Sequence, residues 1–281
     1  MNEHISIVLT AHKSKDLIIN YIKNIYQEFQ IIVIDNSNDI ELEKEIKINY
    51  PSVTFHFMPN KGYGAAINFA SKFVKTKYFL VSNPDVEGIT TDSIIKFYNA
   101  ALNLNNQFSM MGPVDLDHKP ERRRAGYDNI DITETNQISG ICMFFNKENF
   151  DAIGGFDENI FLYFEDNDIC KRLSKINKNY QLNSIKVNHK AGTSVVSKNE
   201  TDKNKQDNLR TWHFIWSKFY YFRKHYTYPV ALILFIPTIM RIIFRISFYK
   251  ILKDNNKLNK YNIRWSGLIN SILCKESHKR I

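Results

Sequence analysis

Cysteine is scarce in this chain of 281 residues: Cys142, Cys170 and Cys274 are the 3 present. They lie too far apart for a C-x-x-C metal knuckle or a disulfide framework, which points to a reducing compartment. Glycine (10) and proline (7) are also few, so collagen-like and low-complexity architectures are excluded. The 8 histidines include no H-E-x-x-H pair, so no helix-borne zinc hydrolase site is expected. No G-x-x-x-x-G-K-[ST] motif is present, which removes a phosphate-cradling loop of the NTPase kind. Gly62-Tyr-Gly64 supplies only half of a dinucleotide fingerprint, and it follows the third expected strand rather than the first. A nicotinamide site is therefore not expected. Near the N-terminus the apolar run is only Ile5 to Ala11, with Glu3 ahead of it, unlike the basic-then-apolar pattern of a secretory signal. The expected location is the cytoplasm.

What the chain does have is hydrophobic mass and an excess of positive charge. Hydrophobic residues make up 43% and charged residues 24%, enough to bury one large core, and the formal net charge is +9. A basic surface suits an anionic partner: nucleic acid, a nucleotide or an acidic membrane. Arg122, Arg123 and Arg124 read as a solvated face, and no RNA-recognition signature accompanies them, so nucleic acid is not the expected partner.

Short β-rich runs alternate with helical patterns through the first half. Ile5 to Thr10, Ile31 to Ile34, Val53 to Met58 and Tyr78 to Val81 read as strands, and Leu17 to Phe29, Glu41 to Asn49 and Gly64 to Val74 as helices. Such alternation predicts βαβ units and a mainly parallel sheet flanked by helices, an α/β fold. Asp115 to Gln137 is polar and reads as a long surface loop. Order returns with a strand over Ile138 to Phe145, a helix carrying Glu165 to Ile176, and a last strand from Tyr180 to His189. Ala191 to Asn208 reads as polar and mobile. Further on, Trp212 to His225 is an aromatic and basic amphipathic stretch, and Val230 to Met240 is an apolar run followed by Arg241, Arg245 and Lys250. That run is shorter than the roughly 20 apolar residues of a membrane span, and cations around an apolar core suit a helix lying in the membrane interface.

In an open parallel sheet, ligands bind outside the carboxyl ends of the strands. The residues just past each expected strand are polar: Thr10-Ala-His12, Asp35-Asn-Ser37, Asn60-Lys-Gly62 and Asn83-Pro-Asp85. Each alone is ordinary turn chemistry, and together they line one edge. The strongest local signal is Phe156-Asp157-Glu158 followed by Tyr163-Phe-Glu165-Asp166-Asn-Asp168 and Arg172, placed after the Gly154-Gly155 turn. Acids in a first helical turn also complement the helix dipole, which suffices for Asp168.

These motifs, with Asn60 to Asn68, Ile138-Ser-Gly-Ile-Cys-Met143 and His189-Lys-Ala-Gly-Thr-Ser194, resemble the inverting nucleotide-sugar glycosyltransferases of family 2 with a GT-A fold. The Asn-Lys-Gly-Tyr-Gly and Asn-Pro-Asp forms look most like the bacterial rhamnosyltransferase branch, which builds cell-surface polysaccharide such as O-antigen from dTDP-rhamnose. The resemblance implies a donor site built from Thr10, Asp35, Asn36, Asn60, Gly62, Asn68, Asn83 and Asp85. It implies Mg²⁺ or Mn²⁺ on Asp85 and His189, and a catalytic pair in which Asp166, beside Glu165, takes the proton of the acceptor hydroxyl. It further implies a dTDP-sugar donor, a lipid-linked oligosaccharide acceptor and a place on the cytoplasmic face of the inner membrane. Two departures stand out: Asn83 replaces one acid of the usual metal motif, and His12 stands where a small polar residue is common. The expected organisation is a catalytic domain over 1–205, with a nucleotide-sugar half (1–114) and an acceptor half (115–205), then a membrane-associating helical region over 206–281. Two rivals stay open at this level. One is a glycoside hydrolase using Asp157 and Asp166 as paired carboxylates; the other is a non-catalytic protein binding nucleotide or RNA through its basic surface.

Overall fold

The computed structural model of the chain describes residue 1 and residues 3–117, 131–189 and 200–280. The triple arginine and most of the His189 to Ser194 motif lie outside the described residues. The chain divides into two compact units, Met1–Asp157 with Asp166–Val196, and Glu158–Glu165 with Ser197–Ile281.

In the first unit the strands are β1 (Ile5–Ala11), β2 (Gln30–Asp35), β3 (Thr54–Phe57), β4 (Tyr78–Ser82), β5 (Val86–Glu87), β6 (Met110–Asp115), β7 (Ile132–Glu134), β8 (Cys142–Asn146) and β9 (Asn179–His189). Helices α1 (Lys15–Lys23), α2 (Ile40–Asn49), α3 (Tyr63–Ser71), α4 (Thr91–Asn103), α5 (Lys147–Ala152) and α6 (Glu165–Leu173) fill the connections. Among the described residues the sheet order is β3-β2-β1-β4-β8-β6-β9-β5, with β7 paired to β9. The crossovers make β3, β2, β1 and β4 parallel. β8 runs antiparallel to both β4 and β6, and β9 runs parallel to β6. The sheet is therefore mixed, but β6 and β9 point the same way as β1 to β4, and their carboxyl ends share one edge.

Period-two alternation sorts the strand residues between two cores. Ile5, Ile7 and Leu9 of β1, Leu80 of β4 and Phe144 of β8 pack with α1, α2 and α4 on one face. Val8, Phe79, Val81, Met143 and Phe145 pack with α3, α5 and α6 on the other. The helices start where their caps dictate: Asp39 accepts the Leu42 N–H, and Thr90 and Ser93 form a reciprocal capping box.

Four sequence expectations change in detail. The segment Asp115 to Gln137, expected to be a surface loop, carries β7, paired to β9, and its residues 118–130 lie outside the described residues. The strand expected from Ile138 starts only at Cys142, because the donors ahead of it are taken by α6: the Ile138 N–H goes to Cys170 Sγ and the Gly140 N–H to Asp166. The helix expected through Phe29 ends at Lys23 and continues as turns that still bury Ile25 and Phe29. The polar segment expected to be mobile up to Asn208 is helical from Glu200 onward, with Glu200 and Asp202 in the first turn, where carboxylates complement the exposed N–H groups.

The second unit consists of Glu158–Glu165 with α7 (Glu200–Tyr226), α8 (Tyr228–Ile251) and α9 (Asn255–Ile272). Its core gathers Ile215, Phe219, Ala231, Phe235, Ile242 and Leu268. Gly267 permits the close approach of α9 to α7, since a Cβ there would lie 2.6 Å from the Trp212 carbonyl oxygen. His213 is fully buried between the Lys279 carbonyl, 2.9 Å from Nε2, and Ser277 Oγ, 3.1 Å from Nδ1. Burial pushes its pKa down to about 4, so the ring is neutral at physiological pH.

The first unit has a sharp backbone device at Gly154-Gly155, both left-handed at φ +72° and +71°. Beside it, Asn68 of α3 accepts the Phe156 N–H at 2.8 Å and donates to the Phe156 carbonyl at 2.9 Å. A Cβ on Gly155 would fall 2.3 Å from Asn68 Oδ1, whereas one on Gly154 meets nothing within 4 Å. Gly154→Ala is thus expected to cost only the left-handed strain, about 1–2 kcal/mol. Gly155→Ala adds a collision and should cost at least about 1 kcal/mol more; urea unfolding of the two variants side by side measures the difference.

Candidate active site

The register aligns the strand ends. Ala11 lies opposite Asp35, Asp35 opposite Phe57 and Leu9 opposite Ser82, so the residues that follow these positions emerge along one edge. Thr10, His12, Asn36, Asn60 and Asn83 are partly exposed there. The carboxylate of Asp35 is fully buried, and its oxygens accept the Ser37 N–H (3.2 Å), the Ser37 hydroxyl (2.6 Å) and the Asp39 N–H (2.8 Å). Ser37 Oγ in turn accepts the Lys13 N–H at 2.9 Å, and His12 Nδ1 lies 2.6 Å from Asn36 Oδ1. The ends of β1 and β2 are thereby fixed to each other, leaving Thr10 and Asn36 at the rim.

The next turn is shaped by Asn60 and Gly62: Asn60 Oδ1 accepts the Gly62 N–H at 3.3 Å, and Gly62 has φ +107° just ahead of α3. Only glycine takes that conformation without strain. Asn68 differs from its neighbours in the motif, because both ends of its amide engage the Phe156 backbone.

Asp85 follows β4 and is almost completely buried. His189, the last residue of β9, lies opposite Val86, and its Nε2 is 3.4 Å from Asp85 Oδ2. The hydrogen bond to Asp85 raises the His189 pKa above 6.5, assisted by the charges of Asp85, Asp115 and Asp117, while burial opposes the rise. Among the described residues no three His, Cys, Asp or Glu side chains form a ready-made metal cage. One carboxylate and one imidazole nonetheless form a donor pair that suits Mg²⁺ or Mn²⁺ if further oxygens come from a ligand.

Asp166 stands in the first turn of α6, half-buried. Its Oδ2 accepts the Gly140 N–H at 3.3 Å, and Oδ1 accepts the Asn167 N–H and side-chain amide at 2.7 and 2.8 Å. Burial nevertheless raises its pKa above 3.8, against the lowering effect of these donors. Gly140 packs tightly here, since a Cβ would lie 3.3 Å from the Asp166 Cβ. The Tyr63 hydroxyl donates to the Gly140 carbonyl at 2.8 Å, so the residue that holds Asp166 is itself held from α3. Neither Tyr63 nor Gly140 was singled out by sequence; the visible sign was glycine in a motif expected to be strand. Glu165 is buried, Asp168 pairs within α6 with Arg172 Nε at 2.8 Å, and Arg172 Nη1 donates to the Ile153 carbonyl at 3.1 Å, which ties α6 to the Gly154-Gly155 turn.

One hydrogen bond joins the two acidic segments: the Asn83 N–H donates to the Ile141 carbonyl at 2.8 Å. Asp85 lies two residues after the donor, and Gly140, which holds Asp166, one residue before the acceptor. Shallow concavities elsewhere, lined by Met1, His4 and Glu28 or by Tyr26 and Ser52, sit toward the opposite strand ends and carry no comparable chemistry.

The fold has counterparts among known proteins. The model of "Glycosyl transferase family 2" matches residues 6–156. Over 204 residues the chain is 22% identical to the low-salt glycan biosynthesis hexosyltransferase Agl10 of Haloferax volcanii, covering 64% of each chain. The chain therefore spans somewhat less than two thirds of the length of that relative. Among solved structures it resembles GalNAc-T7 with UDP, GalNAc and Mn²⁺, at a TM-score of 0.53 and 13% identity over 75% of this chain and 51% of the other. It also resembles S. aureus TarS 1-349 in complex with UDP-GlcNAc, at 0.52 and 12% over 97% and 92%. The fold is of the GT-A type, a central mixed sheet flanked by helices.

The raised pKa of Asp166 gives a test of its environment. A carboxyl whose folded pKa exceeds the unfolded 3.8 binds its proton more tightly when folded, so its contribution to stability is present below 3.8 and lost as pH rises through the folded value. Wild type is expected to lose stability relative to Asp166→Asn as pH rises from 3.8 toward neutrality, measured by denaturant unfolding at a series of pH values.

Proposed function

This chain belongs to glycosyl transferase family 2, and from that premise we propose that it moves a sugar, with inversion, from a nucleoside diphosphate donor to a hydroxyl of a lipid-linked glycan. The observation that carries the proposal is the Asn83–Ile141 link, which ties an acid suited to a metal–diphosphate complex to an acid suited to a general base on one sheet edge.

In this reading the base and ribose of the donor lie against Thr10, Asp35 and Asn36 along the rim of β1 and β2, with the Asn60–Gly62 turn and Asn83 bordering the same edge. Asp85 and His189 would hold a divalent cation, whose positive charge would offset the charge developing on the departing diphosphate. Asp166 Oδ accepts the proton of the acceptor hydroxyl as its oxygen forms the bond to the anomeric carbon and the bond to the diphosphate breaks on the opposite face. The Gly140 and Asn167 N–H groups fix the carboxylate for that step, and burial keeps it basic enough to take the proton. Asn68 serves the site by clamping the Gly154-Gly155 turn to α3. Rhamnose from a dTDP donor is the sugar favoured by the Asn-Lys-Gly-Tyr-Gly and Asn-Pro-Asp forms. A glycan acceptor is supported by the glycan-biosynthesis role named for the Haloferax relative. The protein sits on the cytoplasmic face of the membrane in this reading, and the apolar surface of α8 supports its second unit as the lipid-facing part.

Two outcomes are expected. The melting temperature should rise with dTDP in the presence of Mg²⁺ or Mn²⁺, and less with UDP, GDP or CDP, because a ligand that binds only the folded state stabilises it. A larger rise with UDP would reassign the base without touching the transferase reading, and no rise with any nucleotide would count against the donor site. Asp166→Asn should retain that thermal shift and lose transfer by ~10²-fold or more in a labelled-sugar assay.

A further inference from the structure

Helix α8 runs for 24 residues, about 36 Å at ~1.5 Å per residue. By length and composition it could cross a bilayer, and only 17% of its most apolar window is buried. Its buried residues, Ala231, Phe235, Ile242 and Tyr249, follow one another at intervals of four, seven and seven positions and form one stripe. Ile233, Met240, Phe244 and Ile251 follow at seven, four and seven positions, half a turn away, and all are exposed by more than 60%. The helix is thus apolar on the face turned away from its partners as well as on the face that packs, a pattern expected where the outer face meets lipid. Arg241 and Lys250, both exposed, project from opposite flanks of the outer stripe.

The neighbours of α8 decide how it meets lipid. α9 returns antiparallel along its whole length: Tyr249 stacks on Tyr261 at one end, with ring centroids 5.6 Å apart, and the Tyr228 hydroxyl donates to the Ile272 carbonyl at the other. α9 is polar where it is exposed, with Asn255, Asn256, Lys257, Asn259 and Lys260 in its first turns. α7 lies beside the start of α8 and carries Arg223 and Lys224 in its last turn. A spanning α8 would draw these groups into hydrocarbon, where charged side chains strongly oppose insertion. Laid in the plane of the membrane, α8 sinks its outer stripe among the acyl chains while Arg241 and Lys250 reach up to the headgroups on either side.

We propose that the second unit is monotopic: α8 lies in one leaflet of an anionic bilayer on its Ile233–Met240–Phe244–Ile251 face, with α7 and α9 held on the aqueous side. This rests on the membrane-facing reading above and fixes how α8 lies against lipid. The basic flanks select an anionic leaflet over a neutral one.

The test uses the full-length chain with the exposed Cys274 replaced by serine, leaving Cys142 and Cys170 buried. Single cysteines at Ile233→Cys, Met240→Cys and Ile251→Cys carry an environment-sensitive fluorophore, and Lys260→Cys is left for a membrane-impermeant maleimide. Vesicles are phosphatidylcholine with or without phosphatidylglycerol. All three probes are expected to shift to the blue together, Lys260→Cys to stay reactive on vesicle-bound protein, and phosphatidylglycerol to strengthen binding by ~10-fold or more. A deep signal at Met240 alone, with Lys260→Cys protected, would show a span, overturning the in-plane arrangement while leaving membrane residence intact. No probe shift and no flotation with either vesicle would overturn membrane residence itself. In that case a dimeric mass and disulfide crosslinking between two Met240→Cys chains would assign the stripe to a second copy.

Discussion

The reversal of β8 between β4 and β6 is the constraint on which the site depends. The strands that run forward bring Thr10, Asn36, Asn60, Asp85 and His189 to the carboxyl edge. Because β8 enters the sheet in the opposite sense, its first residues start at that same edge, and the Asn83 N–H can reach the Ile141 carbonyl. Gly140 then presents its N–H to Asp166 in the first turn of α6, 3.3 Å from Oδ2. One antiparallel insertion thus joins the half of the sheet formed by β1 to β4 to the helix that carries Asp166.

Legibility in the sequence followed the range of the interactions involved. The strands β1 to β4 and helices α2 and α3 were readable because their hydrophobic period and turn residues are local, and the polar residues beyond them were readable for the same reason. Gly154-Gly155 was recognisable as a turn, and Asp166 as an acid at a helix start. The Tyr63–Gly140 bond, the Asn68–Phe156 clamp and the late start of β8 were not, because each joins residues far apart in the chain and none leaves a periodic trace. The first turns of α7 were hidden for another reason: they are polar on every side, and a helix without an apolar stripe looks like a loop until its neighbours are known.

The two acids of the site are held in different ways. Asp166 is surrounded by donors that favour its charged form, yet burial wins and its proton affinity rises. Asp85 meets an imidazole whose proton affinity it raises. One acid is thus set against an imidazole and the other against backbone and amide donors, so the two carboxylates differ in what each one faces.

The strand order also has a consequence for the making of the chain. β3, β2, β1 and β4 are complete once Ser82 has emerged, but the strand that covers the free side of β4 begins about sixty residues later. At ~5–20 residues per second that interval lasts roughly 3–12 s. Throughout it, Tyr78-Phe-Leu-Val81 presents an unpaired, apolar, uncharged edge, the kind of segment that recruits foreign strands. The insertion that completes the sheet therefore leaves one edge of β4 to be covered only after residues 83–141 have been made.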